Sequence, residues 1–274
     1  MQLAKLKFLR RFAIPLLRYL NPGDITIKNH YTGDTLCLHS FKHKGYWYHG
    51  KRREHETMER FRTIIGESAC VIEIGGHIGY ITQFFAKLVT KNGMVVVFEP
   101  GENNLKYLKK NIQTLPQVTL VEMAVSNEDT VAQFYLDDLT GQNNSLLGEY
   151  EVLAANQSAA FVELTKNQVT VTTCKLDSFL RDSKHLPDFV KIDIEGAEVL
   201  ALEGMTNTLR NLKPTIMVEI TANHRAAADL LLAQGYELFS PDGKKIQNGE
   251  LPNGNTFALH PEKHKVILEK LSWS

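Results

Sequence analysis

The side chains best placed to do chemistry in this chain are charged residues standing at the ends of short apolar runs. Val71-Ile72-Glu73-Ile74-Gly75-Gly76-His77-Ile78-Gly79-Tyr80 carries an apolar stretch into a glycine turn, and Val95-Val96-Val97-Phe98-Glu99-Pro100 ends a second stretch in a carboxylate. Asp188-Phe189-Val190-Lys191-Ile192-Asp193-Ile194-Glu195-Gly196-Ala197-Glu198 gathers Lys191, Asp193 and Glu195 where a third one stops. A glycine turn after a strand leaves backbone N–H groups free and lets a ligand come close to the chain. A dinucleotide fingerprint requires glycine at 74, 76 and 79, and position 74 is Ile. Glu73 would repel a pyrophosphate but suits the cationic amino group of a methionine moiety. Glu99 can accept hydrogen bonds from both hydroxyls of a ribose, which points to an adenosine-bearing cofactor without choosing one. Burying Lys191, Asp193 and Glu195 beside a cleft is unfavourable unless they pair with one another or bind something.

The elements that must position these groups alternate between strand and helix. Apolar runs predict strands at Cys70 to Ile74, Met94 to Phe98, Val118 to Glu122, Phe189 to Ile192 and Thr215 to Ile220. Helical spacing separates them at Tyr80 to Lys91, Asn103 to Thr114, Ala197 to Leu212 and His224 to Gln234. This alternation predicts an α/β fold with a doubly wound parallel sheet, whose ligands lie beyond the strand C-termini. Residues 137–168, rich in Asn, Gln, Ser and Ala, interrupt the rhythm between the third and fourth parallel strands and read as a substrate loop or lid. Ahead of the sheet, Ile25 and Ile27 alternate, then Leu36 and Leu38, around a turn-forming segment. They predict an accessory hairpin within 24–50. The expected division is residues 1–52, a basic amphipathic helix and hairpin, and residues 53–274, the cofactor-binding domain.

Composition narrows the partners. Lys plus Arg equals Asp plus Glu at 31 each, so no global field favours nucleic acid. The substrate should be small or locally recognised. Cys37, Cys70 and Cys174 lie far apart with no Cys-x-x-Cys pair, which argues against a disulfide framework and a structural zinc site and fits a reducing cytoplasm. Residues 1–20 combine Lys5, Lys7, Arg10, Arg11 and Arg18 with leucines at helical spacing. They suit a helix packed on protein, with peripheral contact to an anionic membrane as the alternative.

Taken together, the segments Glu73 to Tyr80, Phe98-Glu99-Pro100 with Asn104, Leu105 and Asn111, Ala124-Val125-Ser126-Asn127, Leu176-Asp177-Ser178, Lys191 to Glu198 with Leu202 and Gly204, and Pro214 to Glu219 resemble the FkbM-type methyltransferase family. The resemblance covers about residues 56–260. It implies a class I methyltransferase fold with a seven-stranded sheet whose last strand is antiparallel, here Asn255 to Leu259 after Tyr236 to Phe239. It also implies S-adenosylmethionine as cofactor and O-methylation of a hydroxyl on a sugar, polyketide, glycan or other secondary metabolite. The chain departs from the family at Gly75-Gly76-His77, where the loop more usually reads Gly-Ala-Asn. His77 then either steadies the loop or touches the acceptor.

The cofactor-binding residues expected on this reading are Glu73, Gly75, Gly76, His77, Gly79, Glu99, Pro100, Asn104, Ala124, Val125 and Asp193, with the adenine against Met123-Ala124-Val125. An alcohol acceptor must lose a proton, so a carboxylate or imidazole is needed near the methyl group. Asp193, Glu195 and His224 are the candidates. Asp193 and Glu219 terminate neighbouring strands and could offer oxygen ligands to a divalent ion, but no metal site is assigned. His30, His39, His43, His49 and His55 read as surface histidines. The competing functions are an NAD-dependent oxidoreductase, which predicts glycine at 74 and no charged motif on the fourth strand, and a non-catalytic scaffold, against which the three intact acidic motifs argue.

Overall fold

The computed structural model describes residues 22–137, 141–147, 167–220, 225–247 and 249–271. The hairpin forms as expected from β1 (Asp24–Lys28) and β2 (Thr35–His39), with Ile25 opposite Leu38 and Ile27 opposite Leu36. Leu36 and Leu38 are fully buried and share one apolar cluster with Met58, Phe61, Phe84 and Phe85, so the hairpin is packed onto the main fold. A short helix α1 (Lys44–His49) and a 3-10 turn lead to α2 (His55–Ile64). The latter starts at His55, directly after Glu54 in the left-handed region at φ 52.

The central sheet is built from β3 (Cys70–Ile74), β4 (Met94–Phe98), β5 (Val118–Val121), β9 (Phe189–Ile192), β10 (Thr215–Ile220), β11 (Glu237–Phe239) and β12 (Gly254–Leu259). Every residue of β3 and β9 is buried, which is why these strands read as apolar runs broken only by Glu73 and Lys191: helices cover both faces. The spatial order is β11, β12, β10, β9, β3, β4, β5, and β12 runs antiparallel to both of its neighbours. The chain winds outward from β3 through β4 to β5, then returns to place β9 on the other side of β3. The reversal at β3 and β9 opens a crevice at their C-terminal ends. Covering helices are α3 (Tyr80–Val89) and α4 (Glu102–Ile112) on the first half, and α6 (Glu198–Glu203) and α7 (Arg225–Ala233) on the second.

Two expectations need correction. Between β5 and β9 the chain does not pass straight through a long loop. It first forms a separate three-stranded sheet from β6 (Ala124–Val125), β7 (Thr130–Leu136) and β8 (Asn167–Cys174), followed by α5 (Leu176–Leu180). The 137–168 segment therefore connects β7 to β8, which pair antiparallel from Thr130 opposite Thr173 to Leu136 opposite Asn167. The single helix expected over Ala197 to Leu212 is broken: α6 ends at Glu203, and a π-helical turn occupies Thr208–Leu212. Gly204 lies so close to the Ser126 carbonyl that an added Cβ would stand 1.9 Å from it. Asp177 then caps the second piece by accepting hydrogen bonds from Asn207 N and Thr208 N at 2.8 and 2.9 Å. No helix among the described residues is long and apolar enough to cross a membrane.

Candidate active site

A cavity of about 820 Å³ lies beyond the C-terminal ends of β3, β4, β9 and β10. Gly75 has φ +91, and a Cβ there would fall 2.0 Å from the Asp193 carbonyl oxygen, so only glycine lets the loop after β3 close against the end of β9. Gly75 N and Gly76 N both donate to Phe98 O, at 3.0 and 3.1 Å, tying the loop to the end of β4. His77 is left-handed at φ 49 and donates its backbone N–H to Glu99 Oε2 at 2.8 Å. Its Nδ1 is hydrogen bonded to the Tyr46 hydroxyl at 2.8 Å, the two rings are stacked, and the His43 ring meets it edge-on. His77 therefore clamps the glycine loop to α1, which favours loop support over acceptor contact. His43 corrects the reading of the accessory histidines as surface groups. It is 2% exposed, wedged between His77 and Tyr107, and burial drives its pKa down to about 2.

Two carboxylates line the β3 and β4 side. Glu99 is buried with three donors upon it: Oε2 accepts from His77 N, and Oε1 from Gly101 N at 2.9 Å and Asn104 Nδ2 at 3.3 Å. Burial still raises its pKa to about 7, the N–H donors opposing the rise. Oε2, with one donor upon it, keeps a lone pair for a further donor. Glu73 is buried and accepts from Thr82 Oγ1 at 2.6 Å; burial raises it to about 7 while the Lys191 charge opposes. Asn104 gives its amide N–H groups to Glu99 and to Gly141 O at 2.9 Å, and its buried Oδ1 has no partner among the described residues.

The β9 and β10 side is organised differently. Lys191 is buried; its Nζ donates to Asp193 Oδ2 at 3.0 Å and to Gly75 O at 3.3 Å. Burial alone would lower its pKa, but the charges of Asp193 and Glu73 outweigh that and hold it protonated. Asp193, Glu195 and Glu219 each offer a carboxylate oxygen, all within 4.8 Å of one another. That spacing suits the oxygen ligands of a divalent ion, and Glu195 joins the pair noted in the sequence. Burial opposes ionisation of Asp193, and the Lys191 charge together with a hydrogen bond from Glu219 overcomes it, so its pKa is lowered. Glu219 is pushed up to about 8, chiefly by the Asp193 charge, and Glu195 to about 9, by burial and then by its two acidic neighbours. Glu195 is left-handed at φ 54, and its carbonyl accepts from Ser145 Oγ at 2.8 Å. Glu198 is not one of the three clustered oxygen donors, though its charge adds to the rise at Glu195 and Glu219; its Oε1 accepts from Gly196 N at 3.0 Å and closes the turn after β9.

Of the residues predicted from sequence, Glu73, Gly75, Gly76, His77, Glu99, Pro100, Asn104, Ala124, Val125, Asp193 and Glu195 all line this cavity. Gly79 does not: it caps α3 at φ 86, with its Cα face against Leu108 of α4, and so supports the loop from behind. His224 lies outside the described residues. Of the 137–168 segment, Asp137, Gly141, Gln142, Asn143, Asn144 and Leu146 line the cavity; residues 138–140 and 148–166 lie outside the described set, as do residues 1–21. Asn144 bridges this wall to α4 and β7, donating to Asn103 Oδ1 at 2.8 Å and accepting from Asp137 N at 2.7 Å. Val125, 2% exposed, also belongs to the main apolar core, so a charge placed there would damage the fold as well as any adenine site. The sequence reading missed Tyr46, Arg53 and Glu54, which reach the cavity from the accessory segment.

A seven-stranded sheet in this order, with one antiparallel strand inserted beside the last parallel one and a charged crevice at its reversal point, defines a class I methyltransferase fold. The Methyltransferase FkbM domain matches residues 73–238, more than half of the 274-residue chain, and the chain belongs to that family. It is 22% identical over 183 residues to Methyltransferase 1 of Beauveria bassiana (strain ARSEF 2860), a match covering 62% of this chain and 73% of that protein. Among solved structures, the methyltransferase FkbM from Methylobacillus flagellatus KT is similar at 16% identity and a TM-score of 0.43, covering 70% of this chain and 44% of that one. This chain thus spans less than half the length of that protein. The precorrin-6y C5,15-methyltransferase from Geobacter metallireducens GS-15 is similar at 13% identity and a TM-score of 0.43, over 75% of this chain and 87% of that one.

Proposed function

We propose that this methyltransferase uses S-adenosylmethionine and methylates a hydroxyl of a small acceptor, a sugar, polyketide or other secondary metabolite, or of a glycan. The observation that carries the reading is a single cavity running from the buried Glu99 carboxylate to the Asp193, Glu195 and Glu219 group. The residues present fit such a cofactor. Gly75 and Gly76 leave a cradle without side chains, Glu99 Oε2 retains acceptor capacity for a ribose hydroxyl, and Asn104 Oδ1 lines the same wall without a partner among the described residues. Met123, half-buried beside Ala124, offers an apolar surface for an adenine.

The cofactor supplies a methyl group on a sulfonium, and a hydroxyl acceptor gives up a proton as it is methylated. What the chain contributes is alignment and a place for that proton. Asp193, held ionised by Lys191, is the carboxylate able to accept it at neutral pH, while Glu195 and Glu219 keep theirs and can hydrogen-bond an acceptor oxygen. His224 stands as a second candidate base. The test is incubation with methyl-labelled S-adenosylmethionine and a panel of hydroxylated sugars and polyketides, beside a binding titration with NADH. Acceptor-dependent label transfer supports the reading; NADH binding without S-adenosylmethionine binding overturns it.

A further inference from the structure

We infer that Arg53 binds the carboxylate of the cofactor's methionine end, so that a segment outside the matched family region completes the cofactor site. This rests on the proposed use of S-adenosylmethionine, a ligand that carries an ammonium, a sulfonium and one carboxylate. The cavity is rich in acidic groups suited to the two cations, Glu54, Glu73 and Asp193 among them, and the carboxylate needs a cation of its own. Among the described residues, three cationic side chains line the cavity: Lys44, Arg53 and Lys191. Lys191 is taken up by Asp193 and Gly75 O. Lys44 turns its Nζ to the Phe41 ring, 4.8 Å from the centroid, and to Phe41 O at 3.5 Å.

Arg53 is arranged otherwise. Its Nε lies 3.2 Å from Glu54 Oε1, and its guanidinium carbon sits 4.7 Å over the Tyr46 ring. Neither Nη atom has a hydrogen-bond partner among the described residues. Tyr46 is buried and tethered by its hydroxyl to His77, so it gives the guanidinium a fixed surface to stack on. Gly45 leaves the space: a Cβ there would stand 2.8 Å from Nη1. The result is a planar fork, steadied on one edge by Glu54 and on one face by Tyr46, with two nitrogens left for a carboxylate. The same Tyr46 and His77 contact ties this fork to the glycine loop, the part of the cavity closest to Glu73 and Asp193.

The test is calorimetric titration of the full chain, as wild type, Arg53→Met and Arg53→Lys, with S-adenosylmethionine and with decarboxylated S-adenosylmethionine, which keeps the ammonium and sulfonium. Wild type should prefer the carboxylated compound by about 10- to 100-fold, the worth of hydrogen bonds to a charged group. Arg53→Met, whose stem still covers Tyr46, should bind the two alike, with affinity for the decarboxylated compound within about threefold of wild type. Arg53→Lys should recover part of the preference. An undiminished preference in Arg53→Met overturns the inference, and so does an equal loss for both compounds, which marks Arg53 as a brace for Tyr46. A wild type that binds both compounds with no preference overturns this inference alone, whereas one that binds neither overturns the cofactor assignment beneath it.

Discussion

The two ends of the cavity bury acidic side chains in opposite ways. At the β3 and β4 end, Glu99 receives three N–H donors, two of them from the backbone. At the β9 and β10 end, Asp193, Glu195 and Glu219 crowd within reach of one another with a single paired lysine, and the rise in pKa is larger: about 9 for Glu195 and about 8 for Glu219, against about 7 for Glu99. Fixed donors make a binding wall, whereas crowded acids make a place where protons are held and exchanged. A methyl transfer to a hydroxyl needs both, a rigid grip on the cofactor and a proton acceptor beyond it.

Asp193→Asn should break the comparison most severely. It removes the ionised member of the acidic group and leaves Lys191 buried without its partner, so turnover should fall by roughly 100-fold or more. Stability should fall by about 3 kcal/mol, the penalty for stranding a buried charge. Kinetics with a found acceptor and denaturant unfolding check the two parts separately. Activity within tenfold of wild type would move the proton acceptor to Glu195 or His224.

Glu195→Gln and Glu219→Gln sharpen the contrast through pH. Both groups have folded pKa values far above the ordinary 4.5, so between that value and about 8 to 9 the folded chain binds more protons than the unfolded one. Stability must then fall as pH rises through this window. The amide mimics the protonated acid and cannot ionise, so each variant should be more stable than wild type at pH 8, by about 1 kcal/mol, and the gap should shrink towards pH 5. Thermal unfolding at the two pH values is the check; a gap that does not change with pH would contradict the crowding. Smallest of all, Tyr46→Phe removes one hydrogen bond to His77 and should lower stability by about 1 kcal/mol, read by urea unfolding, and weaken cofactor binding only slightly. A loss at Tyr46 as large as at Asp193 would erase the distinction between support and chemistry.

The same contrast governs what the sequence discloses. β3, β4, β9 and β10 are legible because strands buried on both faces must be apolar throughout, and the charges that interrupt them at Glu73, Lys191 and Asp193 stand out for that reason. β7 and β8 are hidden because their residues, such as Gln133, Thr170 and Thr172, face solvent on one side and carry the composition of a loop. The break at Gly204 depends on a close approach to Ser126, a contact between segments far apart in the chain that helical spacing cannot report. Arg53 and Tyr46 escape notice for a related reason. Nothing in Lys44 to Glu54 has the spacing of a site, and only the fold of the hairpin and α1 over the glycine loop brings them to the cavity. Glu219 was visible as a strand-end acid, but its proton-sharing with Asp193 is a property of neighbouring strands in register, not of sequence.

Calorimetric titration of wild type and Glu99→Ala with S-adenosylmethionine tests the central claim most directly, because Glu99 is the proposed acceptor for the cofactor's ribose. The account predicts saturable one-site binding to wild type and a 10- to 100-fold weaker affinity in a folded Glu99→Ala, about 1.5 to 3 kcal/mol for the loss of hydrogen bonds to a charged acceptor. Unchanged affinity in that variant, or no binding to wild type, would contradict it.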